Sequence, residues 1–103
     1  MATLSTHVLD TALGRPAAGL RVELTSGGGG AVAAGVTDAD GRVAPLGGEL
    51  AAGTYALHFD TGSYVGDGAF YPEVVVTFAV GDDEHYHVPL LLSPFGYSTY
   101  RGS

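Results

Sequence analysis

The sequence has no cysteine, no tryptophan and no lysine, and a single methionine. Without cysteine there is no disulfide and no thiolate to serve as nucleophile or metal ligand. A bound metal would therefore need His, Asp or Glu. Without lysine, the cationic side chains are four arginines, set against 11 acidic residues for a net charge of −7. Binding to a phosphate backbone rests on many Lys/Arg contacts, so no nucleic-acid partner is expected. No apolar run is long enough to cross a membrane as a helix, so no membrane partner is expected either. Met1-Ala2-Thr3-Leu4-Ser5-Thr6 has neither the basic start nor the apolar stretch of a secretory leader, and the expected location is the cytoplasm.

What is present points to short strands. The 103 residues are 46% hydrophobic and 15% charged, a folded composition that predicts one domain over 1–103. Seventeen glycines, five prolines and no helical period favour strands and turns. Residues 3–10 alternate, with Leu4, Thr6 and Val8 on one face and Ser5, His7 and Leu9 on the other. Strands are also expected over 20–25, 31–37, 42–46, 54–60, 73–80, 85–92 and 96–101. Turns fall at Gly27–Gly30, Asp38–Gly41, Gly81–Asp83 and Ser93–Pro94, and one short helical turn is expected within 61–71. Roughly eight short strands with regular turns predict an all-β sandwich or barrel.

The same alternation sorts the chemistry. Tyr86, Val88, Leu90 and Leu92 form an apolar face, and His85, His87, Pro89 and Leu91 face the other way. His7 and His87 share a site only if their two strands lie side by side, which alternation does not decide. A single outward histidine on a strand is ordinarily just solvated, and His58 and His85 are read that way. His85-x-His87 has the same-face spacing of two metal ligands, but two ligands do not make a site and no third is marked; neither metal nor cofactor is expected. Asp38-x-Asp40-Gly41 begins like a calcium loop, yet its glycine is at the wrong offset and the ligand series stops, which leaves a turn. No Gly-x-Ser-x-Gly elbow is present. Tyr100-Arg101-Gly102-Ser103 puts an aromatic ring, a guanidinium and a hydroxyl where a plain polar tail is usual.

Several separated stretches together resemble the transthyretin-like 5-hydroxyisourate hydrolases. They are Leu4-Ser5-Thr6-His7-Val8-Leu9-Asp10, Gly14-Arg15-Pro16-Ala17, Thr37-Asp38-Ala39-Asp40-Gly41-Arg42, Phe70-Tyr71-Pro72-Glu73-Val74, and His85 through Pro94 on to Tyr100-Arg101-Gly102-Ser103. The resemblance covers essentially the whole chain, and the final Tyr-Arg-Gly-Ser is the mark that separates these hydrolases from transthyretin, the hormone carrier of the same fold. It implies a transthyretin-like sandwich of two four-stranded sheets with one short helix. It implies a homotetramer, a dimer of dimers, with sites in the channel between dimers. It also implies hydrolysis of 5-hydroxyisourate to 2-oxo-4-hydroxy-4-carboxy-5-ureidoimidazoline in urate degradation.

Carried over position by position, the family's catalytic residues fall on His7, Arg42, His87 and Ser103. Its substrate-binding residues fall on His7, Arg42, Tyr100, Arg101 and Gly102. The chemistry suits these types. Histidine titrates near neutrality and can deprotonate a water, and arginine offers a permanent charge and a planar fork of donors to oxygens that become anionic. A second histidine or a hydroxyl can supply the proton the leaving nitrogen needs. Two rivals remain: a non-catalytic transthyretin-type carrier, disfavoured by bulky Tyr100 and the polar His/Arg lining, and a scaffold module, which leaves the polar cluster unexplained.

Overall fold

A computed structural model describes residues 1–102; Ser103 lies outside them. The elements run β1 (Thr3–Asp10), β2 (Arg15–Pro16), β3 (Arg21–Ser26), β4 (Ala31–Val36), β5 (Arg42–Val43), β6 (Gly53–Phe59), α1 (Thr61–Val65), β7 (Val74–Val80), β8 (His85–Ser93) and β9 (Gly96–Thr99). They form two facing sheets. One has the order β4-β3-β6-β7. In the other, β1-β8-β9 is flanked by a fourth position that the two-residue strands β2 and β5 share along β1. The expected pair of four-stranded sheets is thus present, with one edge strand split in two.

Alternation fills the space between the sheets. Leu4 and Val8 of β1, Val22 and Leu24 of β3, Leu57 and Phe59 of β6, Val74 of β7 and Leu90 of β8 are almost entirely buried there. Burying each such side chain stabilises the fold by about 1.5–3 kcal/mol before chain entropy is counted. Thr6 is the polar member of this layer, and its hydroxyl donates to the Val88 carbonyl at 2.7 Å, so the burial costs little. The helical turn expected within 61–71 is α1. Asp60 caps it by accepting from the Ser63 N–H at 3.3 Å.

Two strands are shorter than their patterns suggest. The run 42–46 pairs with β1 only through Arg42 and Val43. Pro45 then removes a donor, and Leu46 turns inward to donate its N–H to the Leu4 carbonyl at 2.8 Å. The last strand, expected to reach Arg101, stops at Thr99. Its next partner on β8 is Pro89, which has no N–H to offer. The Thr99 hydroxyl bonds the Pro89 carbonyl at 2.7 Å instead, and pairing resumes at a single bridge between His87 and Gly102.

Candidate active site

Two strand registers assemble the site. β1 and β8 run parallel with Ser5 beside His87 and His7 beside Pro89. β1 and β5 run antiparallel with His7 directly across from Arg42. His7, His87 and Arg42 therefore meet on the outer face of this sheet. The two imidazole centroids are 6.4 Å apart and tilted by 36°.

Arg42 is delivered by the turn before it. The Asp38 carboxylate accepts from the Asp40 N–H at 2.9 Å and the Arg42 N–H at 3.0 Å, so it serves the backbone and not a cation. Gly41 holds a φ of +76°, and a Cβ there would run into the Val8 carbonyl oxygen. Only glycine lets the turn close onto β1, with the Val8 N–H bonded to the Gly41 carbonyl at 2.7 Å.

His87 is half-buried and does not stand alone. Its Nδ1 lies 2.7 Å from the Ser5 hydroxyl. The same hydroxyl lies 3.0 Å from Nε2 of His85, whose Nδ1 is 2.6 Å from the Thr3 hydroxyl. Ser5 faces outward by parity yet is only 7% exposed, because the two histidines cover it. Burial, chiefly, and then the charge of Arg42 and the neighbouring His7 and His85 hold His87 below the ordinary histidine pKa, against the opposing pull of a hydrogen bond to the Ser5 backbone. Its neutral form, the one able to accept a proton, is favoured.

The final residues divide between two faces. The step from Leu91↔Ser98 to His87↔Gly102 keeps one register, which sets Tyr100 beside Pro89 and Arg101 beside Val88. Tyr100 therefore shares the histidine face and is 56% exposed there. Gly102 donates its N–H to the His87 carbonyl at 2.8 Å, and a Cβ on it would sit 2.6 Å from His87 Cδ2. It is a floor for the imidazole. Arg101 goes the other way: its guanidinium pairs with Asp83 at 2.6 Å and lies 4.5 Å over the Tyr86 ring. Within one chain it does not join His7, Arg42 and His87. Ser103, assigned a catalytic role by resemblance, lies outside the described residues.

Sequence reasoning passed over Ser5 and treated His85 as merely solvated. The signal that would have found them is the parallel β1–β8 register, which strand alternation alone does not contain. Among the described residues, no three His, Asp or Glu side chains gather as a metal-holding group. The face instead offers two imidazoles with ring centroids 6.4 Å apart, with Arg42 beside them. That set can activate water and stabilise a developing oxyanion.

Comparison with known proteins is consistent with that chemistry. The model of the HIUase/Transthyretin family matches residues 4–102. A relative from Rhizobium meliloti (strain 1021), 5-hydroxyisourate hydrolase 2, is 52% identical over 97% of this chain and 95% of its own length. The structure of Klebsiella pneumoniae 5-hydroxyisourate hydrolase superposes with a TM-score of 0.93 at 41% identity, covering 100% of both chains. Sea bream transthyretin, solved in complex with thyroxine, gives a TM-score of 0.87 at 34% identity, covering 96% of this chain and 93% of its own.

Proposed function

The chain belongs to the HIUase/Transthyretin family and hydrolyses 5-hydroxyisourate, and we propose that His7, Arg42 and His87 carry that reaction on the outer face of the β1–β8 sheet. The observation that carries this placement is the neutral-leaning His87 held 6.4 Å from His7, with Arg42 across from His7. A water between the rings loses a proton to one imidazole as its oxygen adds to the ring carbonyl. Arg42 steadies the oxyanion. Collapse breaks the carbon–nitrogen bond, and the nitrogen leaves with a proton returned from a histidine. Tyr100, on the same face, shapes the floor under the substrate.

The working enzyme in this reading is a homotetramer, a dimer of dimers, with each site finished by a facing copy. Its support is geometric. The site lies on an open sheet face, and β7 and β9 are both sheet edges on one side of the sandwich. A cleft of about 330 Å³ runs between β7 residues Val76–Ala79 and Thr99–Arg101. Unpaired edges of that kind invite pairing with another chain. The transthyretin-type carrier shares the fold, but a face bearing two imidazoles and a guanidinium suits a polar substrate undergoing reaction better than an apolar hormone.

The test is loss of absorbance of freshly generated 5-hydroxyisourate, corrected for spontaneous decay. His7→Ala and His87→Ala are each expected to lower turnover by ~10²–10⁴-fold, the usual share of a general acid or base. Near-normal turnover in both variants sinks the assignment.

A further inference from the structure

We propose that Ser5 and His85, ending at Thr3, form a proton relay that switches His87 between its base and acid tautomers during turnover. The inference rests on the reading that His87 acts on the reacting water. It adds two residues that do not touch the substrate and act through His87.

The geometry allows two self-consistent hydrogen-bond arrangements. The Ser5 hydroxyl has one proton and two imidazole neighbours, at 2.7 Å and 3.0 Å, so it donates to one and accepts from the other. In the first arrangement His87 Nδ1–H donates to Ser5, Ser5 donates to His85 Nε2, and His85 Nδ1–H donates to Thr3 Oγ1. His87 Nε2 is then a bare lone pair, a base. In the second, every bond is reversed: Thr3 donates to His85 Nδ1, His85 Nε2–H donates to Ser5, and Ser5 donates to His87 Nδ1. His87 Nε2 now carries a proton, an acid.

The passage from one to the other balances. The attacking water gives a proton to His87 Nε2, and its oxygen bonds to the carbonyl carbon. His87 Nδ1 passes a proton to Ser5, Ser5 passes its own to His85 Nε2, and His85 releases one from Nδ1 through Thr3 to solvent. Neither histidine is left charged. When the carbon–nitrogen bond breaks, His87 Nε2–H protonates the nitrogen and the chain shifts back, drawing one proton from solvent. His85 is exposed, so the far end of the relay opens to bulk water, while Ser5 in the middle is buried.

The surroundings explain why a relay serves this site better than storing the proton on His87. His7 from β1, Arg42 from β5 and His85 on β8 itself all face the ring, and together with its burial they disfavour an imidazolium there. Moving charge out through Ser5 avoids that state.

The experiment compares three variants by turnover of freshly generated 5-hydroxyisourate. His85→Gln keeps an amide able to hydrogen-bond Ser5 but cannot take a proton on one nitrogen and release it from another. It is expected to lower kcat about tenfold, with KM held within about twofold, a part of the ~10²–10⁴-fold available to acid–base catalysis. His85→Ala is expected to lose as much and to regain rate on addition of free imidazole. His87→Ala runs in parallel. If it remains active, the site reading fails and the relay with it. If it is inactive while His85→Gln keeps full kcat and imidazole does nothing for His85→Ala, the relay alone is overturned. His85 is exposed, so its variants are expected to fold, which their unfolding midpoints check.

Discussion

The outer faces of the two sheets each carry a half-buried histidine held by a hydroxyl, and they differ in where that hydroxyl leads. On the β1–β8 sheet, His87 meets Ser5 at 2.7 Å, and Ser5 continues to a second imidazole. On the β3–β6 sheet, His58 meets Thr25 at 3.0 Å, and Thr25 continues only to the Ala56 carbonyl at 3.5 Å. The company differs as well. His58 lies across from Glu23 and shares a small cleft with Arg21, Asp60 and Glu73. His87 has a guanidinium and two imidazoles around it. Both are histidines on outward strand faces, and both are half-buried. The neighbours that register brings across the strands decide which one is fit for acid–base chemistry.

The sharpest way to break this contrast is to disturb the floor under His87. Gly102→Ala places a methyl 2.6 Å from the imidazole. A displacement near 1 Å in a catalytic group can cost about 10²-fold, and a loss of kcat on that scale is expected with little change in unfolding midpoint. Unchanged kcat would mean that the tail gives way and that Gly102 does not position the ring.

A smaller effect is expected from pH. His87 is held below its ordinary pKa of 6.5, so the neutral base persists as pH falls to that value, and the acid limb of kcat/KM lies below it. The sign for stability follows from the same shift. The unfolded chain takes up this proton before the folded one, so His87 costs the fold stability as pH drops below about 6.5 and costs none above it. A proton NMR titration assigned to His87 checks both statements; a midpoint above 6.5 contradicts them. The smallest effect is expected on the other sheet. His58→Ala should leave kcat within about twofold, since no proton path runs from it to the reacting face. A large loss there would erase the distinction between the two faces.

Much of the fold was legible because alternation in strands reports burial directly. Leu4 and Val8 read as the face of the first strand opposite His7, and both are buried. His7 and His87 read as outward for the same reason. The lengths of β5 and β9 were not legible, because Pro45 and Pro89 act through the donors they withhold from a partner strand, and partners are invisible in one dimension. Arg101 illustrates the limit from the other side. As part of Tyr100-Arg101-Gly102-Ser103 it reads as one of the site, yet a strand turns successive side chains to opposite faces, and it pairs with Asp83 away from the histidines.

By itself, the sequence determined the class of fold, the outward faces and the residue types able to activate water, because periodicity and side-chain chemistry are local properties. Only the tertiary structure decided that β1 lies parallel to β8, and so that Ser5 bridges His85 and His87 while Arg42 faces His7. That parallel pairing joins residues about 80 positions apart, and a one-residue slip of register would have turned every one of them to the wrong face.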